Sequence, residues 1–125
     1  MNSDKKALLS QLVVPVIIGN GSRAHKLAFR LYMKYGVCPV LCGARRSFFD
    51  LFDPFTDYLK ASDGDLLLRT LKDYSEKMND YILILLPADE KDRQLLESRA
   101  SELESFYIIA SSYEDFKKLP PIRLA

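Results

Sequence analysis

Short apolar segments rich in Val, Ile and Leu alternate along the chain with stretches in which apolar side chains recur every three or four residues. The apolar segments contain almost no polar position, which is typical of strands buried on both faces of a parallel sheet. The recurring positions predict amphipathic helices that cover such a sheet. The predicted strands are 13–18, 37–42, 81–86 and 106–110, and the predicted helices are 23–35, 63–78, 90–104 and 113–119.

This alternation predicts a three-layer, Rossmann-like α/β fold, with a parallel sheet of about four to five strands and helices on both faces. Residues typical of helix ends agree with it: Gly36 lies just past the first helix, and Asp89 and Ser112 precede the later ones as caps. Pro120–Pro121 ends the last helix. We therefore interpret 1–119 as one domain and 120–125 as the start of a linker to a further domain.

Residues 43–62 show neither the apolar runs of a buried strand nor the spacing of an amphipathic helix, and they are predicted to be irregular. Pro54 interrupts them, and five aromatic rings fall within eleven residues, at Phe48, Phe49, Phe52, Phe55 and Tyr58. We favour a loop that folds back over the sheet edge and adds its rings to the core, because a domain this small needs the buried area. The alternative is a surface that contacts another domain.

Composition excludes several classes of function. The chain has 125 residues with 18 basic and 17 acidic side chains, a net charge of +1, which provides no electrostatic footprint for nucleic acid or for an acidic membrane surface. Its longest apolar run, 82–86, is far shorter than the ~20 residues of a membrane helix. No signal peptide is apparent, and Cys38 and Cys42 would lie too far apart along a strand for a disulfide. We expect a cytoplasmic protein with two buried thiols.

The segment after the first predicted strand carries the clearest chemical signal. Gly19–Asn20–Gly21–Ser22–Arg23–Ala24 has the pattern G-x-G-x-x-A between a strand and a helix. Glycines let the backbone approach a ligand closely, and the free N–H groups of a helix start favour an anion. The alternative is that the glycines only form a tight strand-to-helix turn.

The end of the second predicted strand bears on the type of ligand. A dinucleotide site has Asp or Glu there to hold the ribose hydroxyls, whereas this sequence continues with Arg45 and Arg46. NAD is therefore disfavoured. The two arginines would suit the extra phosphate of NADP, and the alternative is that they are solvated loop charges or face a neighbouring domain.

No catalytic constellation is recognisable. His25, the only histidine, falls on the first turn of a helix, and Ser22 lacks the surroundings of a nucleophile elbow. No Walker lysine follows the glycines. Asp89, Glu90 and Asp92 are explained by capping and by the helix dipole, so no metal site and no catalytic residue are predicted.

Two parts of the sequence resemble a known family. The strand, glycine loop and helix of 14–35, and the run 80–90 with Leu95–Glu97 and Phe106–Ile109 after it, resemble the N-terminal pre-ATP-grasp domain of carboxylate–amine ligases. The nearest likeness is to D-aspartate ligase-like proteins of bacterial cell-wall synthesis. It spans nearly the whole chain but includes no catalytic signature.

The resemblance implies a function. In such ligases ATP phosphorylates a carboxylate and an amine then displaces the phosphate. ATP and magnesium are held by the domains that follow, so this domain alone would bind no cofactor and would not be catalytic. Gly19, Asn20, Gly21, Ser22 and Arg23 would face a small carboxylate substrate or its acyl phosphate. The family loop often has a carboxylate just after its first glycine, and Asn20 leaves the identity of the substrate open.

Three hypotheses thus remain from the sequence. The first is a domain of an ATP-dependent ligase, whose partners are the ATP-grasp domains of the same chain. The second is a free-standing NADP- or nucleotide-binding Rossmann module. The third is an interaction domain that docks a partner through its aromatic loop. The sequence also leaves open whether the chain forms a homodimer.

Overall fold

Five strands form one parallel sheet in the computed structural model, which describes residues 8, 11–43, 57–61 and 64–123. The strand order is β3-β2-β1-β4-β5, and the helices follow the strands as crossovers. The predicted Rossmann-like α/β fold is therefore confirmed. The strands are β1 (Val13–Ile18), β2 (Val40–Gly43), β3 (Asp57–Lys60), β4 (Ile82–Pro87) and β5 (Ile108–Ile109).

The two most apolar segments of the sequence form the centre of this sheet. β1 pairs with β4 in parallel over their whole lengths, from Val13 opposite Ile82 to Ile18 opposite Pro87. Every residue of β1 is buried. A strand in this position has helices above and below it, so it has no polar face to present.

The helices bury one apolar stripe each and lie on both faces of the sheet. On one face, α1 (Gly21–Tyr35), α5 (Tyr113–Lys118) and α6 (Pro120–Arg123) enclose a core that contains Leu31 and Phe116. On the other face, α2 (Gly64–Lys77), α3 (Glu90–Ser98) and α4 (Ala100–Leu103) enclose a core with Leu71 and Leu96. The sequence periodicity predicted both layers.

The predicted helix ends are largely confirmed. α1 stops at Gly36, whose φ of 72° is left-handed and whose N–H donates to the Tyr32 carbonyl. The side chains of Asp89 and Ser112 accept hydrogen bonds from the backbone N–H groups of Asp92 and Asp115, at 3.0 and 3.2 Å. Each satisfies an N–H that the helix itself leaves unpaired.

Several element boundaries differ from the prediction. β5 covers only Ile108–Ile109 of the predicted 106–110, and a helical turn, α6, begins at Pro120, where the last helix was predicted to end. β3 lies in the segment predicted to be irregular, because four residues are too few for an alternating pattern to be recognised. β2 starts only after Pro39, which has no N–H to donate to a neighbouring strand. The helix predicted for 90–104 is divided at Arg99, whose φ of −116° and ψ of 9° are not helical.

The predictions for the two cysteines and for the aromatic segment can be compared with the structure only in part. Cys42 is buried as expected, but Cys38 is exposed because it precedes β2 in a loop; both thiols are free. Of the aromatic segment, only Tyr58 falls on described residues, where it is half-buried and packs against the core of the α1 face. Phe48, Phe49, Phe52 and Phe55 lie outside the described residues.

The helical turn α6 packs against the domain. Ile122 of α6 is 4% exposed and belongs to the core of the α1 face. The linker and further domain stay a prediction. Across residues 11–43, 57–61 and 64–123, no helix is long and apolar enough to span a membrane.

Candidate functional site

The carboxyl ends of β1, β2 and β4 lie side by side at one edge of the sheet. The N–H of Gly19 donates to the Cys42 carbonyl at 2.9 Å, and the N–H of Ala88 donates to the Ile18 carbonyl at 2.9 Å. The chain leaves β1 for β2 on one side, whereas β4 lies on the other side of β1. Such a switch in strand order opens a crevice between the strand ends, where α/β proteins bind ligands.

Gly19 is required by its packing. Its φ is 150°, and an added Cβ would lie 2.6 Å from the Ala88 Cβ and 2.9 Å from Asp92 Oδ2. Gly21 differs, since its φ of 76° is left-handed but no atom lies within 4 Å of an added Cβ. The first glycine thus allows close packing of two strand ends, and the second borders open space.

Asn20 occupies the N-cap position of α1 without capping it. Its Oδ1 accepts from the Tyr58 hydroxyl at 3.3 Å, and that hydroxyl is also 3.1 Å from the Gly43 carbonyl oxygen. A Cβ on Gly43 would be 2.1 Å from Asn20 Oδ1, so the amide lies directly over the end of β2. The first N–H groups of α1 consequently have no side-chain acceptor from the cap residue.

Two clefts flank this loop, one on each face of the sheet. The α1–α5 cleft, of about 440 Å³, is bounded by α1, the end of β4 and the start of α5. The α2–α3 cleft, of about 380 Å³, lies between the ends of β1 and β2 and the starts of α2 and α3. The predicted loop is divided between them: Gly19 and Asn20 line the α2–α3 cleft, and Arg23 lines the α1–α5 cleft.

A pair of carboxyl groups lies between the clefts. The hydrogen bond from the Asp92 backbone N–H is the main reason that the pKa of Asp89 is lowered. The pKa of Asp92 is raised to about 7, mainly by burial and in addition by the hydrogen bond and the charge of Asp89. The sequence pattern explains Asp92 by capping and the helix dipole, whereas in the structure Asp92 is half-buried against Gly19, and this burial raises its pKa.

The other residues that the sequence analysis considered do not come together at one site. Ser22 is exposed on the first turn of α1, and His25 is half-buried on the same helix. Arg45 and Arg46 lie outside the described residues. Among the described residues, no group of three or more His, Cys, Asp or Glu side chains could hold a metal ion.

The sequence analysis did not assign two residues, Tyr58 and Asp92, to the site. Tyr58 lies 38 positions from Asn20, in a segment that looked irregular, and no local pattern links them. Asp92 had a weak signal, because it stands three residues after the capping Asp89 and so faces the same side of the helix.

Comparison with known proteins adds no assignment. No protein-family model matches the chain, and no curated protein sequence matches it. The site is therefore interpreted from its own geometry, which combines an uncapped helix start with a half-buried carboxyl group that titrates near neutral pH.

Proposed function

We propose that the chain is the N-terminal, substrate-side domain of an ATP-dependent carboxylate–amine ligase of the ATP-grasp type. The observation that carries the proposal is the position of the Asn20 side chain, which lies over the end of β2 and leaves the start of α1 uncapped. In this proposal the domain lines one wall of the substrate cleft and is not catalytic by itself.

An uncapped helix start suits an anionic substrate. The N–H groups that Asn20 does not cap and the dipole of α1, a helix of 15 residues, favour a carboxylate or an acyl phosphate at this end. Arg23 lies on the same turn and is exposed. Gly21 borders open space, so a ligand can approach the backbone closely.

The same side chain weighs against a dinucleotide. A Rossmann cofactor extends from the glycine loop to the end of the second strand, where its ribose is held. That place is taken by the Asn20 amide, which accepts a hydrogen bond from Tyr58. The NADP-binding module remains the alternative, and it would depend on Arg45 and Arg46.

Asp92 is suited to a supporting role in this chemistry. An amine that attacks an acyl phosphate must lose a proton as the new bond forms, and a carboxylate with a pKa near the working pH accepts protons efficiently. The pKa of Asp92 is raised to about 7 by burial, and its carboxyl group lines the α2–α3 cleft.

ATP and magnesium are expected to bind to the other domains of such a ligase. Free thiols at Cys38 and Cys42 are compatible with the reducing cytoplasm, where we propose that the protein acts.

The proposal is tested by NMR titration of the ¹⁵N-labelled chain with D-aspartate, acetyl phosphate, Mg-ATP and NADPH. We expect the carboxylate or the acyl phosphate to shift the amide signals of Asn20–Arg23, with weaker shifts in Arg23→Gln. The matched control is Arg69→Gln, which removes an exposed arginine from α2. Tight NADPH binding that weakens in an Arg45→Ala/Arg46→Ala variant would overturn the proposal in favour of a cofactor module.

A further inference from the structure

The α1–α5 cleft has a basic wall formed by one helix. Arg23, Lys26 and Arg30, which we call the basic row, line it from successive turns of α1. Spacings of three and four residues place side chains on the same face of a helix. Their positive charges therefore converge on one cleft.

The basic row is not neutralised within the described part of the chain, where no carboxylate oxygen lies within 4.0 Å of its nitrogen atoms. The other charged groups of the cleft are two carboxylates, Asp89 and Glu90, and Arg93. Arg93 pairs with Glu90 and Glu97, and the charge of Arg23 is a minor cause of the lowered pKa of Asp89. Positive charge therefore exceeds negative charge in this cleft.

This arrangement is unfavourable for α1 by itself. α1 contains no Asp or Glu, and its first turns carry cations where the helix dipole prefers anions. Like charges at neighbouring turns add repulsion. By contrast, α3 has Glu90 and Asp92 in its first turn, and α5 has Glu114 and Asp115. A bound anion would offset the cost at α1.

The other walls of the cleft provide the groups that a ligand would contact, and the volume limits its size. The Arg30 guanidinium lies 5.0 Å from the centre of the Tyr113 ring, which orients it beside the cleft. Leu27, Pro87 and Ala88 add apolar surface, and Ser111 adds a hydroxyl group. A volume of about 440 Å³ is in the range of small-molecule sites.

We infer that the α1–α5 cleft binds a small molecule with at least two acidic groups, phosphate or carboxylate, which contact the basic row. The inference goes beyond the proposed ligase function. It needs neither the Asn20 side chain nor the backbone N–H groups at the start of α1, and it shares only Arg23 with the proposed substrate loop.

Calorimetric titration of the whole chain with pyrophosphate and, separately, with citrate tests the inference. Lys26→Gln/Arg30→Gln is expected to weaken binding at least about tenfold, the loss that follows removal of one charge-assisted hydrogen bond. The matched control is Arg69→Gln/Lys72→Gln, which removes the same charge from exposed positions on α2 and should keep the wild-type affinity. Thermal melting of both variants checks that they fold.

Each outcome decides the inference. Binding of pyrophosphate alone identifies a phosphate ligand, and binding of citrate alone identifies a carboxylate ligand. Either result supports the site if the basic-row variant loses affinity and the control variant does not. No binding of either probe overturns the inference, and so does equal loss in the control variant, which would indicate general charge attraction. The NMR titration separates this inference from the proposed function. If D-aspartate still shifts the amide signals of Asn20–Ser22 in Lys26→Gln/Arg30→Gln, the proposed substrate loop does not depend on the anion site, and either proposal can fail without the other.

A second readout is available because the chain contains no tryptophan. Tyr113→Trp introduces one emitter beside Arg30 and keeps an aromatic ring for the cation–π contact. We expect pyrophosphate or citrate to change its fluorescence with the same affinity that calorimetry gives. An unchanged spectrum at saturating ligand would place the anion elsewhere and overturn the inference.

Discussion

The hydroxyl of Tyr58 on β3 lies 3.3 Å from Oδ1 of Asn20 and 3.1 Å from the Gly43 carbonyl oxygen, and the Asn20 amide that it contacts does not cap the helix that it precedes. Asparagine at an N-cap position ordinarily accepts a hydrogen bond from the second or third helical N–H. Here the amide lies over Gly43 instead. An edge strand therefore supplies a contact to Asn20 that competes with capping of α1.

Tyr58→Phe tests that relationship. Without the hydroxyl, Asn20 is free to cap α1, so the lost hydrogen bond and the gained cap offset each other and the free energy of unfolding should change by less than about 1 kcal/mol. Anion binding at the start of α1 should weaken several-fold, because the amide then competes for the same N–H groups. Urea denaturation and NMR titration with acetyl phosphate measure the two effects. Tyr81→Phe, at an exposed tyrosine, is the control; unchanged affinity in Tyr58→Phe would contradict the expectation.

Gly19→Ala should destabilise the fold by about 2–4 kcal/mol, because the added methyl group would overlap the Ala88 Cβ and strain the backbone. Gly21→Ala should cost about 1–2 kcal/mol, since it meets only the strain of a left-handed φ. Urea denaturation of both variants provides the comparison.

A double variant identifies the cause of that difference. Gly19→Ala/Ala88→Gly removes one of the two close contacts, so its loss should be smaller than the sum of the two single losses. Purely additive losses would show that steric overlap with Ala88 is not what requires glycine at position 19.

Asp92 should make stability depend on pH. Its folded pKa of about 7 lies above the unfolded value near 4, so between these values the folded state keeps a proton that the unfolded state has released. The free energy of unfolding should therefore fall as the pH rises from about 4 to 7, by about 1–2 kcal/mol after allowance for solvent screening of this half-buried group. The lowered pKa of Asp89 acts in the opposite sense, with stability lost only as the pH falls below that window.

Denaturation across this pH range measures the effect. Asp92→Asn should lack the decline and should be more stable than the wild type at pH 8, while Asp73→Asn, at an exposed position on α2, should keep the wild-type profile. Parallel profiles for the wild type and Asp92→Asn would contradict the raised pKa.

Tyr107→Phe should cost about 0.5–1.5 kcal/mol, because it removes one buried hydrogen bond, while the Leu71 carbonyl inside α2 keeps its helical N–H donor. The Tyr107 hydroxyl donates to the Leu71 carbonyl oxygen at 2.6 Å, and the side chain is 4% exposed. Thermal denaturation beside the Tyr81→Phe control measures the loss. Equal melting temperatures would mean that water replaces the missing hydroxyl.

Ile122→Ala tests whether the final helical turn belongs to the domain. Ile122 is 4% exposed, so truncation should cost about 2–4 kcal/mol through lost burial and the cavity left behind. Ile108→Ala makes the same chemical change at a residue that is 37% exposed, and it should cost less. If Ile122→Ala is neutral in urea denaturation, the packed domain ends at residue 119.

Local sequence patterns determined the architecture. The apolar segments that became β1 and β4, the helical spacing of Ala24, Ala28 and Leu31, and the glycine at position 36 each act over a few residues, so their outcome could be predicted without knowledge of the fold. The same holds for the caps Asp89 and Ser112, which bond to groups three residues away.

Tertiary structure alone decided the chemistry of the site. β3 is too short to have a pattern of its own and forms by pairing with β2, and only that pairing brings Tyr58 to Asn20 across 38 positions. The raised pKa of Asp92 likewise depends on burial against the β1 loop, and the basic row becomes the wall of a cleft only when α5 packs opposite α1. Hydrogen bonds and electrostatic effects act between groups that the fold brings together, whatever their distance along the chain, whereas periodicity records only which side of an element is buried.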